Sequence, residues 1–136
     1  MPSYRLREAS QLLGVSDDTL RRWADAGRVE VQVDDGGRQA IDGAELARFA
    51  QEYAATQPQL APLPIVRESA RNRFVGLVTR VTRDTVMAQV EVQCGPNRVV
   101  SLMSREAADE LGLEPGVLAV ASIKSTNVVI ETPQQS

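Results

Sequence analysis

Two short polar strings in the second half of the chain carry the residue types that hold an oxyanion. Ser69-Ala70-Arg71-Asn72 enters one β-branched run, and Ile123-Lys124-Ser125-Thr126 leaves another. Lys124 is the single lysine of the chain, against 14 arginines. It follows the apolar run Val117 to Ile123, where a charge is costly unless something pairs with it. Neither string contains a carboxylate. A compact ammonium, a planar guanidinium and several hydroxyls, with no acid among them, are donors suited to an anion whose outer oxygens accept hydrogen bonds.

Composition narrows the alternatives. There is no histidine, and Cys94 is the only cysteine, which removes internal disulfides, histidine metal sites and His-assisted nucleophiles. Neither a nucleophile–base pair nor a metal cluster is visible, so no enzyme activity is expected. Cys94 lacks a basic neighbour that would lower its pKa and reads as inert. No apolar run approaches the ~18 residues of a membrane span, and Met1-Pro2-Ser3-Tyr4-Arg5 has no signal-peptide character, so a cytoplasmic protein is expected. Only five residues are aromatic, so the cores must be small and aliphatic, and small cores favour oligomers.

The elements that must position these residues fall into two groups. Pro58, Pro62 and Pro64, among Gln and Ala, mark residues 54–68 as an extended linker. Residues 1–53 form one domain, residues 69–132 a second, and 133–136 a tail. In the first, Leu6, Ala9, Leu12 and Leu13 lie on one helix face that Gly14 ends. Ser16 caps a second helix whose first turn holds Asp17 and Asp18, and Leu20, Trp23 and Ala24 are its buried stripe up to Gly27. Val29 to Ile41, with Asp34-Asp35-Gly36-Gly37 at its centre, reads as a hairpin. Asp42-Gly43-Ala44-Glu45 reads as a capping box before a third helix carrying Leu46, Phe49, Ala50 and Tyr53. In the second domain Phe74–Arg83, Thr85–Cys94, Arg98–Met103, Val117–Lys124 and Asn127–Glu131 read as five strands. Ser104 to Leu111 is a short helix. The expected fold class is α+β multidomain: a helical winged helix-turn-helix, then a five-stranded OB-like β-barrel with one short helix.

Helix, tight turn, helix and a glycine-tipped hairpin form a winged helix-turn-helix pattern. Gly14 to Arg28, with Thr19-Leu20-Arg21-Arg22-Trp23 at its centre, resembles MerR-type and excisionase-type DNA-binding domains. The resemblance implies that the second helix enters the major groove and the wing meets the backbone. It places Thr19, Arg21 and Arg22 on the DNA side, with Arg28 after the helix and Arg38 on the wing. Arginines hold phosphates or read guanine edges. Residues 1–53 nevertheless carry seven Arg against ten Asp/Glu, so non-specific attraction to phosphate is small.

The second domain resembles the molbindin or Mop family, the molybdate-binding form of the TOBE domain. The resemblance rests on Ser69-Ala70-Arg71-Asn72, Gly76-Leu77-Val78, Val86 to Val90, Ser104-Arg105-Glu106-Ala107, Leu111-Gly112-Leu113, Pro115-Gly116 and Ile123 to Thr126, in that order. It implies a molybdate or tungstate ligand, no other cofactor, and no direct coordination of the metal. The ligand would sit at subunit interfaces on Ser69, Arg71, Lys124 and Ser125 of one chain and Ser104 of a neighbour. Ala107 stands where relatives often have Ser, removing one hydroxyl. Two other uses compete: Arg71 in an ion pair with Glu68 or another acid, and Ser104 as a helix cap alone. Asn72 reads as structural, closing a turn.

Together these readings give a molybdate-responsive transcriptional regulator, a homo-oligomer (a hexamer, or a dimer) whose interface-bound oxyanion sets the arrangement of its DNA-binding domains. The alternative is an intracellular molybdate storage protein whose helix-turn-helix domain serves assembly.

Overall fold

A computed structural model describes residues 2–57 and 69–133, which fall into two compact units, one on each side of residues 59 and 60.

The first unit runs β1 (Ser3–Arg5), α1 (Leu6–Leu13), α2 (Asp17–Asp25), β2 (Gln32–Val33), β3 (Gln39–Asp42) and α3 (Gly43–Thr56). Its helix boundaries follow local chemistry. Gly14 ends α1 with φ 75°, a conformation that costs glycine little. Ser16 caps α2 by accepting the Thr19 N–H at 3.1 Å. The buried Ser10 hydroxyl donates to Asp17 at 2.5 Å and ties α1 to the start of α2. Leu6, Ala9, Leu20, Val29, Ile41, Leu46 and Phe49 form the core, with Trp23, Ala24 and Tyr53 packed against it. Leu12 does not join them; it is 66% exposed, and the buried Ser10 takes a place on the inner face. A short strand not foreseen, β1, pairs antiparallel with β3, giving the sheet order β1-β3-β2.

Only half of the expected capping box forms. Asp42 accepts the Ala44 N–H at 3.1 Å. Glu45, instead of turning back to Asp42, accepts the Glu30 N–H at 2.8 Å and the Arg48 guanidinium at 2.6 and 3.0 Å. Glu45 therefore joins α3 to the segment before the hairpin. The Arg48 guanidinium, then the Glu30 N–H, hold its carboxyl at about 2, below the ordinary 4.5. A carboxyl with a lowered folded pKa stabilises fully above the unfolded value and stops doing so as pH falls through the folded one. The urea midpoint of the unit, followed by Trp23 fluorescence, should therefore exceed that of Glu45→Gln at pH 6. That difference should shrink steadily below pH 4.5 and vanish near pH 2. A difference independent of pH would refute the pairing.

Helix α3 continues to Thr56, three residues into the stretch read as linker. Residues 58–68 of that linker, and 134–136 of the tail, lie outside the described residues.

The second unit comprises β4 (Asn72–Arg83), β5 (Met87–Cys94), β6 (Asn97–Ser104), α4 (Arg105–Glu110), β7 (Leu118–Ile123) and a single 3-10 turn over Ser125–Asn127. All strand pairs are antiparallel, in the order β6-β5-β4-β7. The long β4 pairs with β7 through Asn72–Leu77 and with β5 through Leu77–Arg83, with a register shift between Val78 and Arg80. Val78, Ala88, Val90, Val92, Cys94, Ala108 and Leu113 make the core.

The expected five-stranded barrel is corrected here to a four-stranded sheet among the described residues. Asn127 to Glu131 is not a strand. The 3-10 turn follows β7, and Val128 to Ile130 pairs with neither edge of the sheet. Val129 and Ile130 stay 80% and 83% exposed. A Val-Val-Ile run has strand propensity, but a strand requires a partner. The edges β6 and β7 are not hydrogen-bonded to each other, so the sheet stays open.

Candidate functional site

Antiparallel pairing brings the two polar strings together. Asn72, the first residue of β4, stands opposite Ile123, the last of β7. Arg71 precedes β4 and Lys124 follows β7, so each lies one residue beyond this last pair. Asn72 also donates its side-chain N–H to the Ile123 carbonyl at 3.1 Å, fastening the ladder at its end. Its structural role is therefore to clamp two strands. Lys124 keeps an extended backbone, and its carbonyl accepts the Asn127 N–H at 2.9 Å, which starts the turn holding Ser125.

Ser69, Arg71, Lys124 and Ser125 are all exposed, and no hydrogen bond or ion pair engages their side chains among the described residues. The cost of a charge beside an apolar run therefore does not apply within one chain, because Lys124 stands just beyond the strand. The register is the stronger argument, since it brings the two strings, each with an unpartnered cation, to one end of the sheet. Glu68, the acid weighed as a partner for Arg71, lies outside the described residues.

Ser104 lies elsewhere. It ends β6 opposite Met87, and Ala88 beside Met87 pairs with Arg83 at the far end of β4. Twelve residues of β4 separate the two places, roughly 40 Å of extended strand at ~3.3 Å per residue. The structure thus groups four of the five predicted oxyanion residues at one end of the sheet and holds the fifth at the other. Ser104 caps α4 by accepting the Ala107 N–H at 3.1 Å. It opens on a hollow of about 520 Å³ that Thr85, Val86, Arg105 and Glu106 also line. The turn beneath is clamped by Asp84, which accepts the Met87 and Val86 N–H groups at 2.7 and 2.8 Å; these bonds lower its pKa.

The outer face of the sheet is unusually apolar next to both places. Below Arg71 and Lys124, alternation along β4 and β7 presents Val75, Leu77, Leu118 and Val120, with Leu77 and Leu118 more than half exposed. Beside Ser104, β6 presents Val100 and Leu102, and Val86 follows in the adjoining turn; all three are exposed.

In the first unit, Arg21 and Arg22 are exposed on α2, and Thr19 accepts from both Ser16 and Arg22, at 2.9 and 3.3 Å. Arg28 is committed differently. Its guanidinium lies 5.1 Å from the Trp23 ring centroid and 5.6 Å from that of Phe49, closing over an aromatic cluster completed by Tyr53. Arg38 is exposed at the wing. Asp34, beside it, is a turn clamp. Its carboxylate accepts the Arg38 and Gly36 N–H groups, both at 2.9 Å, and these bonds together with the Arg5 and Arg38 charges lower its pKa. Arg5, on the unforeseen strand β1, stands opposite Ala40 on β3.

Comparison with known proteins bears on both units. Residues 68–130 match the family model of the TOBE domain, and residues 3–54 that of a helix-turn-helix domain. The chain is 36% identical over 63 residues to molybdenum-pterin-binding protein 1 of Clostridium pasteurianum, covering 46% of this chain and 93% of that protein. It is 30% identical over 111 residues to molybdenum-pterin-binding protein MopA of Rhodobacter capsulatus, covering 68% of this chain and 42% of the other. Among solved structures it is similar to the cytoplasmic molybdate-binding protein ModG with molybdate bound, at 38% identity and a TM-score of 0.48, over 49% of this chain and 48% of that one. No helix among the described residues is long and apolar enough to cross a membrane.

Proposed function

We propose that this chain, which belongs to the TOBE (molbindin) family and carries a helix-turn-helix domain ahead of its TOBE domain, binds molybdate or tungstate as a cytoplasmic homo-oligomer and couples that binding to DNA. The observation that supports the reading is the β4–β7 register, which pairs Asn72 with Ile123 and so brings the neighbouring Arg71 and Lys124 to one end of the sheet, with no carboxylate paired to either. A tetrahedral dianion is held by such a pair through its outer oxygens, with Ser69 and Ser125 as added donors. No metal coordination and no catalytic step enter.

Ser104 is too far along β4 to share that ion within one chain. It joins the site if a neighbouring copy supplies it, and the two apolar outer faces support this. Packing the Val75–Leu77–Leu118–Val120 face of one copy against the Val86–Val100–Leu102 face of another carries Ser104 and the start of α4 to the cations. A hexamer, or a dimer, built on this contact has the ion at the rim of each interface. The ion then stabilises one arrangement of copies, and with it one spacing of helix-turn-helix domains. Thr19, Arg21, Arg22 and Arg38 serve as the DNA contacts. Arg28 contributes through its stacking on Trp23.

One observation favours the storage reading instead: the first unit carries more acid than base, so DNA affinity requires several copies or a matched sequence. Native mass spectrometry with molybdate, paired with retention of genomic fragments at fixed salt, separates these outcomes. The regulator reading expects a fixed number of bound ions per oligomer and at least a fivefold change in fragment retention on adding molybdate. Bound ions with no retained fragment at any molybdate concentration would leave storage as the function. No bound ion would defeat both.

A further inference from the structure

We propose that Arg73 is a third cation of this oxyanion site and sets its preference for dianions over monoanions; the proposal rests on the molybdate reading above. Arg73 stands opposite Ser122, two residues inward from the Arg71–Lys124 position, with Asn72 and Ile123 between them. Side chains alternate across a strand, so Arg73 and its partner Ser122 share one face of the sheet, and Arg71 and Lys124 follow directly beyond the two strand ends. That face is the outer one, since the intervening residues continue into Gly76 and Val78, with Val78 in the core. Two strand residues span roughly 6.6 Å, within reach of a guanidinium on its three-carbon stem.

Arg73 is also unspent. It is exposed, and no ion pair or hydrogen bond engages its side chain among the described residues. Other arginines of the same unit are occupied: Arg80 and Arg98 with Glu91, Arg83 and Arg105 with Asp109. Arg71, Arg73 and Lys124 thus form a cationic row with no internal counter-charge, and Ser122 adds a hydroxyl beside it. The Coulomb term scales with ligand charge. A third positive charge at the edge of the site therefore favours a dianion twice as much, in logarithm of affinity, as a monoanion of the same shape.

The test uses the full-length protein, its Arg73→Gln and Arg73→Lys variants, and two tetrahedral anions of similar size: molybdate by calorimetry, and perrhenate, a monoanion, by displacement of molybdate. Arg73→Gln is expected to weaken molybdate about tenfold and perrhenate about threefold, and Arg73→Lys to restore most of the molybdate affinity. Unchanged molybdate affinity in Arg73→Gln overturns the proposal, as do equal factors for the two anions. If perrhenate displaces nothing from wild type, the molybdate ratio decides alone. Native mass is followed in parallel, since Arg73 could instead pair with Glu106 or Glu110 of another copy. A lower mass in Arg73→Gln with unchanged affinity per assembled site likewise overturns it. Wild-type protein that binds no molybdate defeats the site as a whole; wild-type binding with an indifferent Arg73→Gln defeats only this assignment.

Discussion

Lys124→Ala in the full-length protein is expected to weaken molybdate binding about hundredfold and to leave the unfolding transition where it is. Lys124 is exposed, follows the last residue of β7, and has no side-chain partner among the described residues. Removing its ammonium therefore takes nothing from the fold, and surface changes of that kind stay within about 0.5 kcal/mol. For the ligand the loss is large. A hydrogen bond to a charged group contributes roughly 1.5–3 kcal/mol, and each 1.4 kcal/mol is a factor of about ten. Arg71→Lys isolates the second half of the site. It keeps the charge and loses the planar fork, so its affinity should fall between wild type and Arg71→Gln. Calorimetry at two salt concentrations checks both, because loss of a cation flattens the salt dependence while loss of geometry alone does not. Full molybdate affinity in Lys124→Ala, with an unchanged melting curve, would remove the ion from this end of the sheet.

The expectation was drawn from residue types, but the structure changes what carries it. Sequence alone noticed one lysine after an apolar run and one Ser-x-Arg string, 53 residues apart. The physical link between them is a β-ladder register, a long-range fact that no local pattern encodes. Local signals worked well where local chemistry decides the structure. Gly14, the Ser16 cap and the Asp34–Gly37 turn all stand where their residue types place them. They worked poorly where a partner decides. Val128 to Ile130 has the composition of a strand, but it pairs with neither open edge of the sheet and is not one. Glu45 has the position of a capping-box residue and is drawn to Glu30 and Arg48. In each case propensity named the residue correctly and a tertiary partner chose its use.

The same register makes Gly76 the residue on which the second unit is most exposed to failure. Gly76 pairs with Ala119 on β7, and the next residue, Leu77, is the one that faces both Leu118 on β7 and Gln93 on β5. The chain there passes from one partner strand to the other, and the end of β5 crosses close against it. A Cβ on residue 76 would stand 2.3 Å from the Gln93 carbonyl oxygen and 2.7 Å from the Cys94 sulfur. Its φ is not positive, so the demand is for space rather than for a glycine conformation. Because the nearest obstacle is backbone, relief requires moving a strand, and overpacking of this kind costs about 1–3 kcal/mol or more. Gly76→Ala should therefore lower the melting temperature of the second unit by about 10–20 °C, at ~4–8 °C per kcal/mol for a domain of this size. The first unit has its own core, and Trp23 within it is the only tryptophan of the chain. Tryptophan fluorescence should then report an unshifted transition while the far-ultraviolet signal of the sheet melts early. Gly112→Ala supplies the contrast. Its φ is 64°, and nothing lies within 4 Å of the added carbon, so it pays only the conformational cost of about 1 kcal/mol. Equal shifts for the two variants would mean that the crossing at Gly76 is not the constraint. A larger shift for Gly76→Ala, accompanied by weaker molybdate binding below the melting point, would tie the anion site to the strand crossing at Gly76.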